Sequence, residues 1–178
     1  DNPKRKYRHT WELIQSPSSL IGINTMVPNR LVKLSIENGL IEELNGYDTV
    51  RAEVKTSDHT RLDLMLESED EGKCYVEIKN CTLVEEGVAM FPDAVTTRGQ
   101  KHLDELETLV SMGHRSVIFY LIQRTDAKVF KPADAIDPVY GEKLRRVIKN
   151  GVEIIIRDVM IDQKMICIGR QIPVSLEN

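Results

Sequence analysis

The 178-residue chain sets 24 Lys and Arg against 28 Asp and Glu, a formal charge of -4. That balance excludes a histone-like binder that grips nucleic acid with its whole surface, but leaves room for a local basic patch. With 41% hydrophobic and 29% charged residues the composition is that of a globular domain with a core, and no apolar run approaches the ~20 residues that cross a bilayer.

The chain opens without Met on Asp1-Asn-Pro-Lys-Arg-Lys-Tyr-Arg-His-Thr10, as expected of a segment that starts inside a longer protein. Lys4, Arg5, Lys6 and Arg8 form its densest basic run. Residues 10–14 and 20–25 read as two short strands around the turn-rich Gln15-Ser-Pro-Ser-Ser19. Pro28 suits the first turn of a helix and Gly39 its end, which predicts a helix over 28–38. Three strands follow by period-two alternation: Val50, Ala52 and Val54; Leu62, Leu64 and Leu66; Val76 and Ile78. The acidic Ser68-Glu-Asp-Glu-Gly72 segment is a solvated turn between the last two.

Residues 85–95 read as a loop. Thr97 and Gln100 stand at capping-box spacing and open a helix striped by Leu103, Leu106 and Val110, which Gly113 ends. The run Ser116-Val-Ile-Phe-Tyr-Leu-Ile122 is a central buried strand. Asp137-Pro138 starts a helix closed by Asn150-Gly151, and residues 152–160 and 164–172 complete the chain as strands. Cys74, Cys81 and Cys167 form no C-x-x-C pair and read as reduced thiols of a cytoplasmic protein. His9, His59, His102 and His114 show neither H-x-H nor H-x-x-x-H spacing, which argues against a histidine-held metal.

Chemistry concentrates on the polar positions of two strands. Alternation sets Asp63 opposite Leu62 and Leu64 in facing, and Glu77 and Lys79 opposite Val76 and Ile78. On adjacent strands these three would share one face. Two carboxylates there can hold a hard cation, Mg²⁺ or Mn²⁺, with the Ile78 carbonyl as a third donor. Such a cation polarises a phosphoryl oxygen and acidifies a bound water, while Lys79 balances charge on the phosphate. An E-x-K on a strand is more often a solvated face with cross-strand ion pairs. The in-phase Asp63 and the order helix, three strands, helix, strand raise the catalytic reading, because that is the core order of PD-(D/E)XK nucleases. Gln100 is expected to point from its helix start toward this site, with a capping role as the alternative. Arg51, Lys55 and Arg61 are expected to position a phosphate backbone, and the Lys4–Arg8 run to add nucleic-acid affinity. The loop at 85–95 is expected to border the site and to order on substrate. Met90 and Phe91 are then available to a base, unless Phe91 anchors the loop to the core.

These residues also carry a resemblance. Asp1–Glu12, Pro28-Asn-Arg-Leu-Val32, Tyr75-Val-Glu-Ile-Lys-Asn-Cys-Thr-Leu-Val84 and Phe91-Pro-Asp-Ala-Val-Thr-Thr-Arg-Gly-Gln-Lys-His-Leu103 resemble the sugar fermentation stimulation protein A family. Gly151-Val-Glu-Ile154 and Ile172-Pro-Val174 fit it too. The resemblance implies an α/β PD-(D/E)XK nuclease-like core with a mixed central sheet flanked by helices, over residues 27–178. Residues 1–26 would be the remnant of an N-terminal OB-like β-barrel. It further implies sequence-independent DNA binding and a regulatory link to sugar, notably maltose, metabolism. Two functions compete: a DNA-binding regulator whose nuclease-like domain only binds, and a Mg²⁺-dependent nuclease acting on DNA or RNA. A weaker third reading is a module that recruits another protein. No helix-turn-helix or zinc finger supplies a sequence-specific reader.

Overall fold

The computed structural model describes residues 7, 9–57 and 60–177. Lys4, Arg5, Lys6 and Arg8 lie outside the described residues. Among those described, a short antiparallel hairpin of β1 (Leu13–Gln15) and β2 (Leu20–Gly22) precedes helix α1 (Val27–Glu37). Then come β3 (Thr49–Lys55), β4 (Arg61–Ser68), β5 (Gly72–Cys81), β6 (Leu83–Glu85), β7 (Val88–Phe91) and helix α2 (Thr97–Ser111). Strands β8 (Arg115–Ile122) and β9 (Val129–Pro132), helix α3 (Pro138–Lys149), β10 (Glu153–Ile161) and β11 (Ile166–Gln171) complete it.

The frame is a mixed six-stranded sheet in the order β11-β10-β8-β5-β4-β3. Its centre, β5-β8-β10, is parallel, and β3, β4 and β11 run antiparallel to their neighbours. Both faces are covered, which is why β8 reads as an unbroken apolar run: Val117 to Ile122 are fully buried. One face packs Leu64, Leu66, Val76, Ile78, Phe119 and Leu121 against Val32 and Ile36 of α1. The other packs Met65, Ile118, Tyr120 and Ile122 against Leu103 and Leu106 of α2 and Tyr140, Leu144 and Val147 of α3. Leu62 breaks phase: it joins the α2–α3 side and not the side of Leu64 and Leu66.

The expected loop at 85–95 contains strand at Glu85 and over Val88–Phe91. Strands β6 and β7 form a hairpin, and β7 pairs in parallel with β9 to make a separate three-stranded sheet. Phe91 meets Tyr120 and Tyr140 edge-on at 5.5 and 5.2 Å between ring centroids. That geometry makes the half-buried Phe91 an anchor of this segment to the core, the alternative that the sequence left open.

Candidate functional site

The site arises where β4 and β5 stop pairing. Their ladder runs from Ser68–Gly72 to Leu64–Val76 and ends there. Just beyond, the Ile78 N–H donates to Asp63 Oδ2 at 2.8 Å, so a side chain takes the place of a ladder acceptor. A strand residue's N–H and C=O point to the same side, so the Ile78 carbonyl faces the same gap. Asn29, in the first turn of α1, donates through Nδ2 to Asp63 Oδ1 at 2.7 Å. Both oxygens of Asp63 are thereby oriented.

Glu77 is almost fully buried, its side chain only 3% exposed. Its Oε1 accepts from Lys79 Nζ at 2.7 Å and pairs closely with His102 Nδ1. The other oxygen, Oε2, is buried with no hydrogen-bond partner. His102 Nε2 lies 3.4 Å from the Arg98 Nε that donates to it. An accepting Nε2 puts the proton of a neutral ring on Nδ1, which therefore donates to Glu77. The 3.3 Å approach of Lys79 Nζ to Nδ1 is then a neighbourly contact, and two ammonium hydrogens remain for the cleft.

The surrounding fold fixes this end of β5. Gln123, just past β8, donates through Nε2 to Asn80 Oδ1 at 2.9 Å and accepts the Gly22 N–H on its carbonyl at 2.9 Å. A Cβ at Gly22 would lie 2.5 Å from Gln123 Oε1 and 3.2 Å from its Cβ, so a larger residue there would displace the Gln123 side chain that holds Asn80. Gly99 does similar service in α2: a Cβ would lie 3.2 Å from the Tyr140 ring and 2.8 Å from Thr96. This close approach seats the first turn of α2 so that His102 meets Glu77.

Thr25, Pro28, Asn29, Asp63, Glu77, Ile78, Lys79, Asn80, Arg98 and His102 line a cleft of about 210 Å³. Burial, and next the nearby Glu77 charge, push the Asp63 carboxyl up to about 6. Burial acts to raise Glu77 too, but the hydrogen bond from His102 and the charge of Lys79 outweigh it and leave Glu77 lowered. Two carboxylates thus share a water-poor cleft with their pKa values driven apart. A hard dication fits this donor set of two carboxylates and a main-chain carbonyl. The unpartnered Glu77 Oε2 and the mutual repulsion of the two charges are what a cation would relieve. Among the described residues no group of three or more His, Cys, Asp or Glu converges as a metal cage.

The structure therefore brings Asp63, Glu77, Ile78 and Lys79 together. It does not bring Gln100. Thr96, not Thr97, caps α2 by accepting the Gly99 N–H at 3.0 Å. Gln100 Nε2 donates to both oxygens of Asp137, each at 3.1 Å, and Asp137 caps α3. Gln100 is a tie between two helix starts; two residues from each of the cleft-lining Arg98 and His102, it lies about 200° around the helix from both. Sequence reading missed His102, Asn29 and Arg98. His102 had a signal: it is a polar residue on the buried stripe of Gly99, Leu103 and Leu106. Of the cations expected to hold phosphate, Arg61 lines a second groove beside the cleft, whereas Arg51 and Lys55 line neither.

The comparisons agree with this architecture. Residues 26–165 match the family described as sugar fermentation stimulation protein RE domain. The chain belongs to the sugar fermentation stimulation protein family. A homologue from Geotalea uraniireducens is 54% identical over 155 residues, covering 87% of this chain and 67% of the relative. One from Geobacter sulfurreducens is 50% identical over 174 residues, covering 98% and 74%. The structure of Pyrococcus furiosus SfsA in complex with Ca²⁺ superposes with a TM-score of 0.85 at 28% identity, over 92% of this chain and 71% of that one. That family member therefore shares the mixed α/β fold. Among the described residues, no helix is long and apolar enough to cross a membrane.

Proposed function

We propose that this chain binds DNA at a divalent-cation site on a PD-(D/E)XK nuclease-like core and hydrolyses phosphodiester bonds there, in the cytoplasm. One observation carries the reading: Asp63, Glu77 and Lys79 meet at the split between β4 and β5, with Glu77 Oε2 buried and unpartnered. The Ca²⁺ complex of the Pyrococcus furiosus relative supports a divalent cation in this fold. In this reading the core spans 27–178, and residues 1–26 are the remnant of an OB-like β-domain.

Asp63, Glu77 and the Ile78 carbonyl would hold Mg²⁺ or Mn²⁺. When bound, such a cation supplies Lewis acidity toward a phosphate oxygen and acidifies water. Asn29 and the Ile78 N–H keep Asp63 turned to the cleft, and His102 fixes Glu77 by one oxygen while leaving the other free. Lys79, already beside Glu77, offers its remaining hydrogens to the phosphate as negative charge grows on it. Such an interaction is stronger in the transition state than in the bound ground state, so it acts on turnover.

A second reading is a regulator of sugar, in particular maltose, metabolism that binds DNA without cutting it. The closure of the Lys79 ammonium onto Glu77 Oε1 favours it, because that contact partly neutralises both groups. Incubation with single- and double-stranded DNA and RNA, with Mg²⁺, Mn²⁺ or chelator, separates the two. We expect metal-dependent cleavage. Lys79→Met should bind within a few-fold of wild type while turnover falls by roughly 10²–10³. Cleavage of nothing under any metal condition would leave the regulator.

A further inference from the structure

Among the described residues, most arginines are closed onto carboxylates. Arg115, Arg124, Arg145, Arg146, Arg157 and Arg170 each reach an Asp or Glu at 2.6–2.9 Å. A chain with net charge -4 has enough acid to pair every cation, yet several described ones, Arg30 and Lys128 among them, have no ion pair. Two of them lie together on the first turns of α2. Arg98 makes its hydrogen bond to the His102 ring and has no acidic partner among the described residues. Lys101, one position before His102, is exposed and likewise has no ion pair among the described residues. Across from them at the start of β4, Arg61 meets Glu53 only at 3.4 Å with both side chains 61% exposed, a pair worth little in solvent.

These three cations, with Thr60 and Thr97, line a polar groove of about 410 Å³. It adjoins the carboxylate cleft, since Arg98 and His102 line both. Among the described residues, Glu53 is the one acid in its lining. The positive end of the α2 dipole opens at the same place. Negative charge is thus concentrated in the cleft, and positive charge in the groove beside it.

We propose that this groove is a phosphate track. It holds backbone phosphates flanking the one that enters the carboxylate cleft, with Arg98, Lys101 and Arg61 as their partners. The inference rests on the cleft being a nucleic-acid site, and it narrows that substrate to a strand with phosphates on either side of the reacting bond. A mononucleotide or free phosphate would leave the track empty. Arg98 has a second role as a positioning residue, since its guanidinium orders the His102 ring that holds Glu77.

The test uses Arg61→Gln with Lys101→Gln, two exposed positions whose loss leaves folding and the cleft intact. Affinity for a short single-stranded oligodeoxynucleotide is measured in Ca²⁺ at several salt concentrations, with Mn²⁺ titration in parallel. The double variant should bind Mn²⁺ as wild type does. It should lose roughly tenfold in oligonucleotide affinity, and its salt slope should flatten by about 1.4, or ~0.7 for each lost phosphate contact. Wild-type affinity and slope in the double variant would overturn the track and leave the cleft standing. A wild-type protein that binds no oligonucleotide at all would overturn both.

Discussion

Strand β5 has a polar cluster at each end, and the two are built on opposite plans. Where the strand begins, charges are matched. Arg115 donates to both oxygens of Glu153 at 2.8 and 2.7 Å, to the Glu43 carbonyl at 2.7 Å and to the Tyr47 hydroxyl at 3.3 Å, while Arg157 reaches Glu43 at 2.6 Å. Where the strand ends, Asp63 and Glu77 face the single ammonium of Lys79. Each end leaves one acid oxygen buried without a hydrogen-bond partner, Glu43 Oε1 at the first and Glu77 Oε2 at the second, so the balance of charge is what sets them apart. The first cluster ties elements together. The second holds an imbalance that folding alone would not select, since buried like charges oppose stability. The lesson is that burial of charge marks function only where the charges fail to cancel.

Breaking the balanced end should show the largest effect on stability. Arg115→Met keeps much of the stem volume but removes the bonds to Glu153, Tyr47 and the Glu43 carbonyl. We expect a loss of about 2 kcal/mol in urea unfolding and unaltered Mn²⁺ binding. A cost below about 0.5 kcal/mol, the size of an ordinary surface change, would mean the cluster is not a structural tie.

Removing charge from the unbalanced end should do the reverse. The Asp63 carboxyl is raised to about 6 in the fold, above its unfolded value of 3.8, so the folded protein holds that proton more tightly. Above pH 6 the ionised group therefore opposes folding, by up to roughly 3 kcal/mol for a shift of this size. The penalty fades as pH falls from 6 toward 3.8 and is absent below. Asp63→Asn should thus gain about 1–2 kcal/mol at pH 7.5 without metal, allowing for the weakened bond from the Ile78 N–H, and gain nothing near pH 4. Thermal melts across that range read it directly. A variant less stable than wild type at pH 7.5 would mean Asp63 serves the fold.

The smallest effect belongs to Gln100. Its amide joins the start of α2 to the Asp137 cap of α3, so Gln100→Ala should cost about 1 kcal/mol. Metal binding and any cleavage should persist, and their loss would return Gln100 to the site.

Much of this was legible in the sequence because strand alternation states which side chains leave the core. Asp63, Glu77 and Lys79 announce themselves as charged residues in phase on apolar strands. The break of phase at Leu62 did not, since Leu suits either side of a doubly covered sheet. Short β6, β7 and β9 hid in turn-rich segments, where three or four residues give no period to read. The error at Gln100 was angular. Capping-box spacing made it conspicuous, yet the residue on the buried stripe was His102, set aside for lacking a second histidine at metal spacing. Nothing in one sequence tells that Asn29, distant in the chain, would reach Asp63.

The most direct test of the account is calorimetric titration of Mn²⁺ into wild type, Asp63→Asn and Glu77→Gln at pH 7.5. Wild type should bind one cation per chain, with binding abolished or strongly weakened in both variants. Wild type alone should also be stabilised by the metal, by about 2.7 kcal/mol at a hundred times the dissociation constant. Equal binding and equal stabilisation in all three proteins would contradict this, and would leave the pair of carboxylates at the split between β4 and β5 without a purpose.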